Sequence, residues 1–415
     1  IQDHTPQERE IGVAGPELSS REKDYITGIL CMTVFIQCFI VSQFPPFLTP
    51  LILYDFNYGK NVVGCILAIY PACAILAGYW SPWVLNNITK KNILLCSLVM
   101  QLLGAFGVGI LTYITYDNDL LFLGLAFLFI ALLGLGAGFA EAMVYTTISE
   151  VYPLEEVPSK LSSVQISFGL GMMMGPSLGA ILHSLANFFA AFASGGTISL
   201  CLFVLTVMRF PNLPLNTSVR HSHKHTFKFF RSIPAIYGLS AACVVLAITA
   251  ILMNFVTPLM MQEFDISQNS SALLICIQPF VYTIAYTPFA SVVSQSERKW
   301  TFISVGILLQ VIGLMFFLPP DEHEDYHVIS PIFGFTVAAF QMIFISLAVI
   351  PTILEDVEDR FPDPPEEVLD GVTAMFVLSQ NVGDVIGSIL SGFLIDSMDY
   401  RGTYTTAAFV GFCFV

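Results

Sequence analysis

Charge is what this chain has least of. Asp, Glu, Lys and Arg make up 11% of its 415 residues, against about 25% in an average soluble domain. A chain so short of charge cannot clothe a water-soluble surface. The alternating ten-residue pattern of a membrane β-barrel is also missing. So are a phosphate-binding loop, a dinucleotide fingerprint, an HExxH pair and any catalytic-triad context, which argues against an ATP-driven machine and against an enzyme. No cofactor and no nucleic-acid partner is expected. The nine cysteines fall in or beside apolar runs and none cluster in a loop, so neither a disulfide framework nor a metal site is expected. Residues 1–24 are polar and unlike a secretory signal, and the first residue is Ile.

What the chain does have is 55% hydrophobic residues gathered into runs long enough to cross a bilayer as helices. The runs lie at about 26–52, 62–84, 93–115, 119–147, 161–183, 188–208, 232–260, 271–294, 300–318, 329–354, 371–397 and 403–415. The fold class is an all-α polytopic membrane protein with twelve spans. Residues 1–25 form an N-terminal segment, 26–208 a first six-helix bundle, 209–231 a linker and 232–415 a second bundle whose last helix is incomplete. The linker holds His221, His223 and His225, read as a solvated stretch and not a metal site, because alternation places them on no common helical face. Threading the spans from a cytoplasmic N-terminus puts 14 of the 16 basic residues on the cytoplasmic side, leaving only Lys60 and Arg401 outside. The acidic stretch 355–370 is then cytoplasmic as well. Asn269-Ser-Ser271 is an external glycosylation sequon, and those at Asn87 and Asn216 face the cytosol.

An internal repeat supports the two halves. Glu150-Val-Tyr-Pro153 precedes the fifth span and Asp359-Arg-Phe-Pro362 the eleventh, 209 residues later. Gly171-x-x-x-Gly175 has its counterpart in Gly383-x-x-x-Gly387, 212 residues later. Glycines four apart stack on one helix face, where a neighbouring backbone can come close. Pro176 removes a donor and favours a bend. Two similar six-helix halves suit a transporter that alternates its access around a midplane site.

On this topology, Gly171-x-x-x-Gly175-Pro176-x-x-Gly179 resembles the antiporter motif of the major facilitator superfamily. Phe44-Pro-Pro-Phe47, Asn61-Val-Val-Gly64 and Leu161-Ser-Ser-Val-Gln-Ile-Ser-Phe-Gly-Leu-Gly171 resemble the vesicular amine transporter family, especially its polyamine-transporting branch. The resemblance implies alternating access, with Gly171, Gly175, Pro176, Gly179, Gly383 and Gly387 as the conformational motif. It also places an inner gate between the second and third helices. There the superfamily pattern Gly-x-x-x-Asp-Arg-x-Gly-Arg-Lys is met by Pro82 to Lys91. Lys90 and Lys91 keep the basic pair, whereas Asn86 and Asn87 replace the acid and the first arginine, which weakens the usual charge latch. Ile130 stands where the fourth helix normally offers an arginine, and no acid lies in 26–52, unlike in the monoamine branch.

A charge near mid-bilayer costs about 2.5–3.5 kcal/mol on insertion scales, so each one asks for a reason. Two acids lie well inside spans. Asp384 sits in the eleventh, on a polar stripe with Gln380, Ser388 and Ser391. Glu141 lies in the fourth, one turn from Tyr145. A carboxyl that is protonated when empty and ionised when bound to a cation is a simple exchanger. Asp384 is therefore the expected charge partner, with Glu141 beside it in proton coupling. Gln278, Tyr282 and Tyr286 follow one face of the eighth span and suit cation–π and hydrogen-bond contacts. Gln37, Asn254 and Gln165 complete the expected substrate-binding set. The Met172–Met174 run is read as packing.

The expected function is proton-coupled antiport of a cationic organic amine or polyamine, in a vesicle, another endomembrane or the plasma membrane. The expected partners are a small-molecule substrate, protons and the bilayer. A carrier of a neutral or anionic metabolite is the alternative, disfavoured for anions by the lack of Lys or Arg inside spans. A transporter-like subunit of a membrane assembly is another, and collapsed packing around Asp384 would favour it.

Overall fold

A computed structural model describes residues 19–114, 119–153, 156–213, 232–317, 329–360 and 367–415. Most of the linker with its three histidines, the loop around residues 321–325 and the sequon at Asn216 lie outside the described residues, as do residues 1–18.

The described chain is helical, with no strand. Helix α1 (Ser20–Val41) starts at Ser19, whose hydroxyl accepts from Glu22 N while the Glu22 carboxylate accepts from Ser19 N at 2.9 Å. Those two bonds satisfy otherwise orphaned donors, and donation from Ser19 N and from the Ser19 hydroxyl holds the Glu22 carboxyl below its usual pKa. At Phe44-Pro-Pro-Phe47 the two prolines withdraw their donors, and the chain continues in two π-helical turns, Phe44–Leu48 and Leu51–Asp55. Then follow α2 (Lys60–Asn87), α3 (Lys90–Ile114), α4 (Asp119–Val151), α5 (Val157–Leu185) and α6 (Phe188–Arg209). The second half runs α7 (Ile233–Met253), α8 (Val256–Glu263), α9 (Gln268–Ile275), α10 (Ile277–Ser294), α11 (Lys299–Met315), α12 (Ile329–Arg360) and α13 (Glu367–Phe414).

Among the described residues, ten helical stretches are long and apolar enough to cross a bilayer, and Lys299–Met315 is a shorter apolar helix. The last stretch, Gly371–Phe414, has 44 residues, about 66 Å at 1.5 Å per residue, twice what one crossing needs. It is two helices joined at Asp399, whose φ of 59° breaks the helical path. Together these make twelve spans.

The halves are built alike. In the first, α5 packs on α1, α4 on α2, and α3 on both α4 and α6. In the second, α13 packs on α7, α12 on α10, and α11 on both α12 and α13. Ion pairs repeat too. Lys90, opening α3, pairs with Glu150 at the end of α4; Lys299, opening α11, pairs with Glu355 near the end of α12.

The apolar core is not shared evenly between the two ends. One continuous cluster runs through the first half and into residues 248–275, 311–317, 335 and 395–408 of the second. A separate cluster fills the other end of the second half, around Ala241, Ile303, Val349 and Phe376. The halves are thus fused at the end that carries the π-helical turns. There Gln262 donates to the Tyr54 hydroxyl at 3.0 Å and Gln268 to the Pro46 carbonyl at 2.8 Å. Asn61 N donates to the Asp396 carboxylate at 3.3 Å, and Lys60 sits 4.9 Å from the Tyr400 ring centre.

Candidate functional site in the central cavity

The glycine motifs come first because they set the backbone spacing. A Cβ on Gly171 or Gly175 would collide with the backbone carbonyls of Phe35 and Phe39 in α1; a Cβ on Gly383 or Gly387 would collide with those of Cys243 and Ala247 in α7. Each pair therefore presses its helix onto the first helix of its own half. Gly179 receives the Phe47 ring, 2.6 Å from where its Cβ would stand. The backbone contact between halves is made by another pair. Gly64 of α2 meets the Ser388 carbonyl, and Gly392 of α13 meets that of Lys60. Gly64 closes the Asn61-Val-Val-Gly64 stretch read from the sequence, but neither glycine belongs to the conformational motif read there.

Close packing of α13 on α7 and α2 aims Asp384 inward. Its Oδ1 accepts from the Ser388 hydroxyl at 3.3 Å, and Ser388 in turn accepts from Asn254 Nδ2 at 2.9 Å. Asn254 is available because α7 stops there before α8 resumes at Val256. Asn381, in contrast, turns away and donates to the Val377 carbonyl at 3.1 Å. Gln380 is half-buried one turn before Asp384.

On the other wall, Tyr70 of α2 is within electrostatic reach of Asp384, Glu141 and Cys38, and is hydrogen-bonded to Gln37. Gln37 Oε1 is buried with no hydrogen-bond partner among the described residues. Tyr145 adjoins Glu141, Cys38, Gln165 and Tyr286. The Tyr282 hydroxyl donates to Gln165 Oε1 at 3.0 Å, joining α10 to α5 across the halves, and the Tyr282 and Tyr286 rings lie 5.3 Å apart. Gln278 is buried one turn before Tyr282.

The sequence-derived set is therefore drawn together: Gln37, Glu141, Gln165, Asn254, Tyr282, Tyr286 and Asp384 surround one region at mid-depth. Glu141, Gln165, Gln380 and Asp384 are each half-buried although they sit mid-helix and inside the fold. Side chains in a collapsed core would be fully buried, so water reaches into this polar-walled region. Among the described residues neither carboxylate has an ion-pair partner. Tyr70, Cys38 and Ser346, which adjoins Tyr282, were missed. Tyr70 carried a faint signal, standing before Pro71 in the middle of an apolar run.

The remaining expected residues lie elsewhere. Lys91 donates to the Val207 carbonyl at 3.0 Å, near the C-terminus of α6, and Lys90 is held by Glu150, so the basic pair is engaged inside the first half. Asn86 Oδ1 is buried with no partner among the described residues. Ile130 is fully buried in the core. Met172 and Met174 pack against the apolar cluster. Asn269 of the external sequon is half-buried in the first turn of α9, its Oδ1 3.2 Å from His183 Nδ1, and is not the free loop site that glycosylation favours. Among the described residues no group of three His, Cys, Asp or Glu is placed to hold a metal.

Residues 30–363 match the model of the Major Facilitator Superfamily. The chain belongs to that superfamily. It is an integral, multi-pass membrane transporter with two six-helix pseudo-repeats. It is 24% identical over 354 residues to the MFS-type transporter SLC18B1 of Rattus norvegicus and 22% identical to that of Mus musculus, covering 83% of this chain and 74% of each relative. Solved structures with the same fold include a POT family transporter in complex with a thioalcohol-conjugated peptide, with a TM-score of 0.73 at 14% identity, covering 94% of each chain. The nucleoside transporter NupG gives 0.72 at 12% identity over 94% of this chain and 97% of its own. A bacterial homolog of the human lysosomal transporter Spinster, inward-facing and unoccupied, gives 0.69 at 14% identity over 96% and 89%.

Proposed function

We propose that this transporter exchanges a cationic organic amine, of the polyamine class, for protons by alternating access. The observation that carries the reading is the make-up of the cavity: two carboxylates, Asp384 and Glu141, with no ion-pair partner among the described residues, set among tyrosines and amides. A cation placed between Asp384 and the rings of Tyr70, Tyr282 and Tyr286 would meet charge on one side and π-faces on the other. The free acceptor of Gln37 would take one ammonium proton, and Ser388 and Asn254 would keep the Asp384 carboxylate aimed at it. Proton and amine then compete for one carboxylate, which couples their movements in opposite directions. Resemblance to the vesicular amine transporter family supports the substrate class. With a cytoplasmic N-terminus, the fused end faces the lumen or exterior and the cavity opens to the cytosol. Gly171, Gly175, Gly383 and Gly387 would keep each bundle rigid as the halves rock.

Uptake of labelled spermidine into proteoliposomes under an imposed pH gradient tests this. We expect uptake that follows the gradient, its loss in Asp384→Asn, and weakened pH dependence in Glu141→Gln. Undiminished, pH-driven uptake by Asp384→Asn would overturn the assignment.

A further inference from the structure

The fused end holds a second cavity, separate from the central one. It has a volume of about 740 Å³ and lies between the π-helical turns, the end of α3, the α5–α6 junction and α8–α9. That size is within the range of small-molecule sites. Phe47, fully buried behind the lining, sits in the notch left by Gly179, its ring tilted 37° to that of His183 with centroids 5.3 Å apart. With the π-helical turns and α8–α9 around it, the cavity is a vestibule at the fused end, beside the contacts that seal the halves.

Its walls are selective in kind. Tyr54, Tyr113 and Phe188 supply aromatic surface, and Asp55 supplies a carboxylate. Tyr54 is 45% and Tyr113 63% exposed, so both rings present open surface. Each hydroxyl accepts one hydrogen bond, Tyr54 from Gln262 at 3.0 Å and Tyr113 from Asn187 at 2.7 Å, and keeps its own O–H to donate. To a quaternary cation, which has no acceptor, these rings offer their π-faces. Asp55 is exposed and has no ion-pair partner among the described residues. No Lys or Arg lines the cavity, and the nearby Lys60 is turned onto Tyr400. Aromatic rings around one unpaired carboxylate recognise an organic cation and repel an anion.

We propose that this vestibule is a second binding site, a staging site for organic cations outside the seal, with Asp55 as the charge partner and Tyr54, Tyr113 and Phe188 as aromatic walls. It rests on the proposed function for its place on the transport route, and on its own walls for its chemistry. A cation released through the seal, or arriving at it, would be held one plug away from the central carboxylates.

The test uses phenyltrimethylammonium, a permanent cation that carries no titratable proton, and the full chain in nanodiscs. Calorimetric titration of Asp384→Asn/Glu141→Gln removes the central charges and should still show saturable binding. Adding Asp55→Asn should weaken that binding tenfold or more, Asp55→Glu should preserve it, and Tyr113→Ala should weaken it independently. Benzenesulfonate, of similar size and opposite charge, should not bind. Absence of saturable binding in the double variant, or unchanged affinity after Asp55→Asn, would overturn the vestibule site. Equal stoichiometry in the wild type and the double variant would instead count against the central cation site and leave the vestibule standing. Asp55→Asn is an isosteric change at an exposed position, so a thermal midpoint equal to that of the double variant confirms that the fold is intact.

Discussion

The helix pairs α1–α5 and α7–α13 solve one packing problem twice and differ in the side chains set around it. In both, two glycines four residues apart bring a helix onto the backbone of the first helix of its half. In α13 an acid, Asp384, stands beside the first glycine; the matching stretch of α5 has Leu170 and Met172. The glycine scaffold is common to both pairs, and of the two glycine-bearing helices only α13 carries a carboxylate beside it. The difference teaches that the symmetric part of the fold is structural and the asymmetric part is where chemistry is to be sought.

The largest break in that comparison is to remove the charge. Asp384→Asn keeps the shape of the side chain and its bond to Ser388. Losing a charge-assisted contact of this kind costs about 2–5 kcal/mol, or roughly thirtyfold at the least in substrate affinity. Uptake assays should show that loss with an unchanged thermal midpoint, whereas Met172→Ala in α5 should leave affinity almost untouched.

Next comes the scaffold. Gly171→Ala and Gly383→Ala each drive a methyl into a carbonyl of a neighbouring helix, which cannot swing aside as a side chain would. Overpacking of this kind costs about 1–3 kcal/mol, and the two variants should lose similar stability in detergent melts. Gly124→Ala in α4 is the control. Its added methyl meets nothing within 4 Å, and relief of glycine's backbone entropy should stabilise it by about 0.5–1 kcal/mol. Unequal losses at Gly171 and Gly383 would show that the two pairs are not equivalent.

A smaller effect separates packing within halves from sealing between them. Asp396→Ala removes the acceptor that Asn61 N meets at the start of α2. A carboxylate at a helix N-terminus contributes about 0.3–1 kcal/mol, so the ratio of sealed to open states should fall by up to roughly fivefold. Cys276 is buried at the seal, 3.0 Å from the Ser177 hydroxyl across the halves. Its alkylation by a membrane-impermeant maleimide should quicken by about that factor.

Helix number, topology class and the polar ring of the cavity were legible because each leaves a local mark. A span needs some twenty apolar residues, and a polar side chain inside one stands out. Asp384, Glu141, Gln37 and Tyr282 were visible for that reason. Tyr70 and Cys38 were not, since a tyrosine or a cysteine in an apolar run is unremarkable until the fold turns it toward Glu141. The crossing of Gly64 with Ser388 and of Gly392 with Lys60 was hidden too, because neither glycine has a partner four residues away. Contacts between distant helices leave no periodicity to read. Glu150 was visible only as a landmark of the repeat, and its pairing with Lys90 needed the end of α4 to meet the start of α3.

That ion pair allows the finest test of the two halves. Lys90–Glu150 and Lys299–Glu355 occupy matching places, but the first is drier: the side chains are 3% and 30% exposed, against 14% and 50% in the second. Removing one partner of a buried pair leaves a charge with poor solvation, and that penalty falls as water reaches the site. Lys90→Gln should therefore cost about 1–2 kcal/mol, the partial exposure of Glu150 keeping it below the range for fully buried pairs. Lys299→Gln should cost less than about 1 kcal/mol. Raising the salt concentration should narrow the second difference more than the first, because exposed pairs are screened and buried ones much less so. Equal costs, or equal salt dependence, in melts of the two variants would show that burial does not distinguish the pairs and that the two halves are held at this end in the same way.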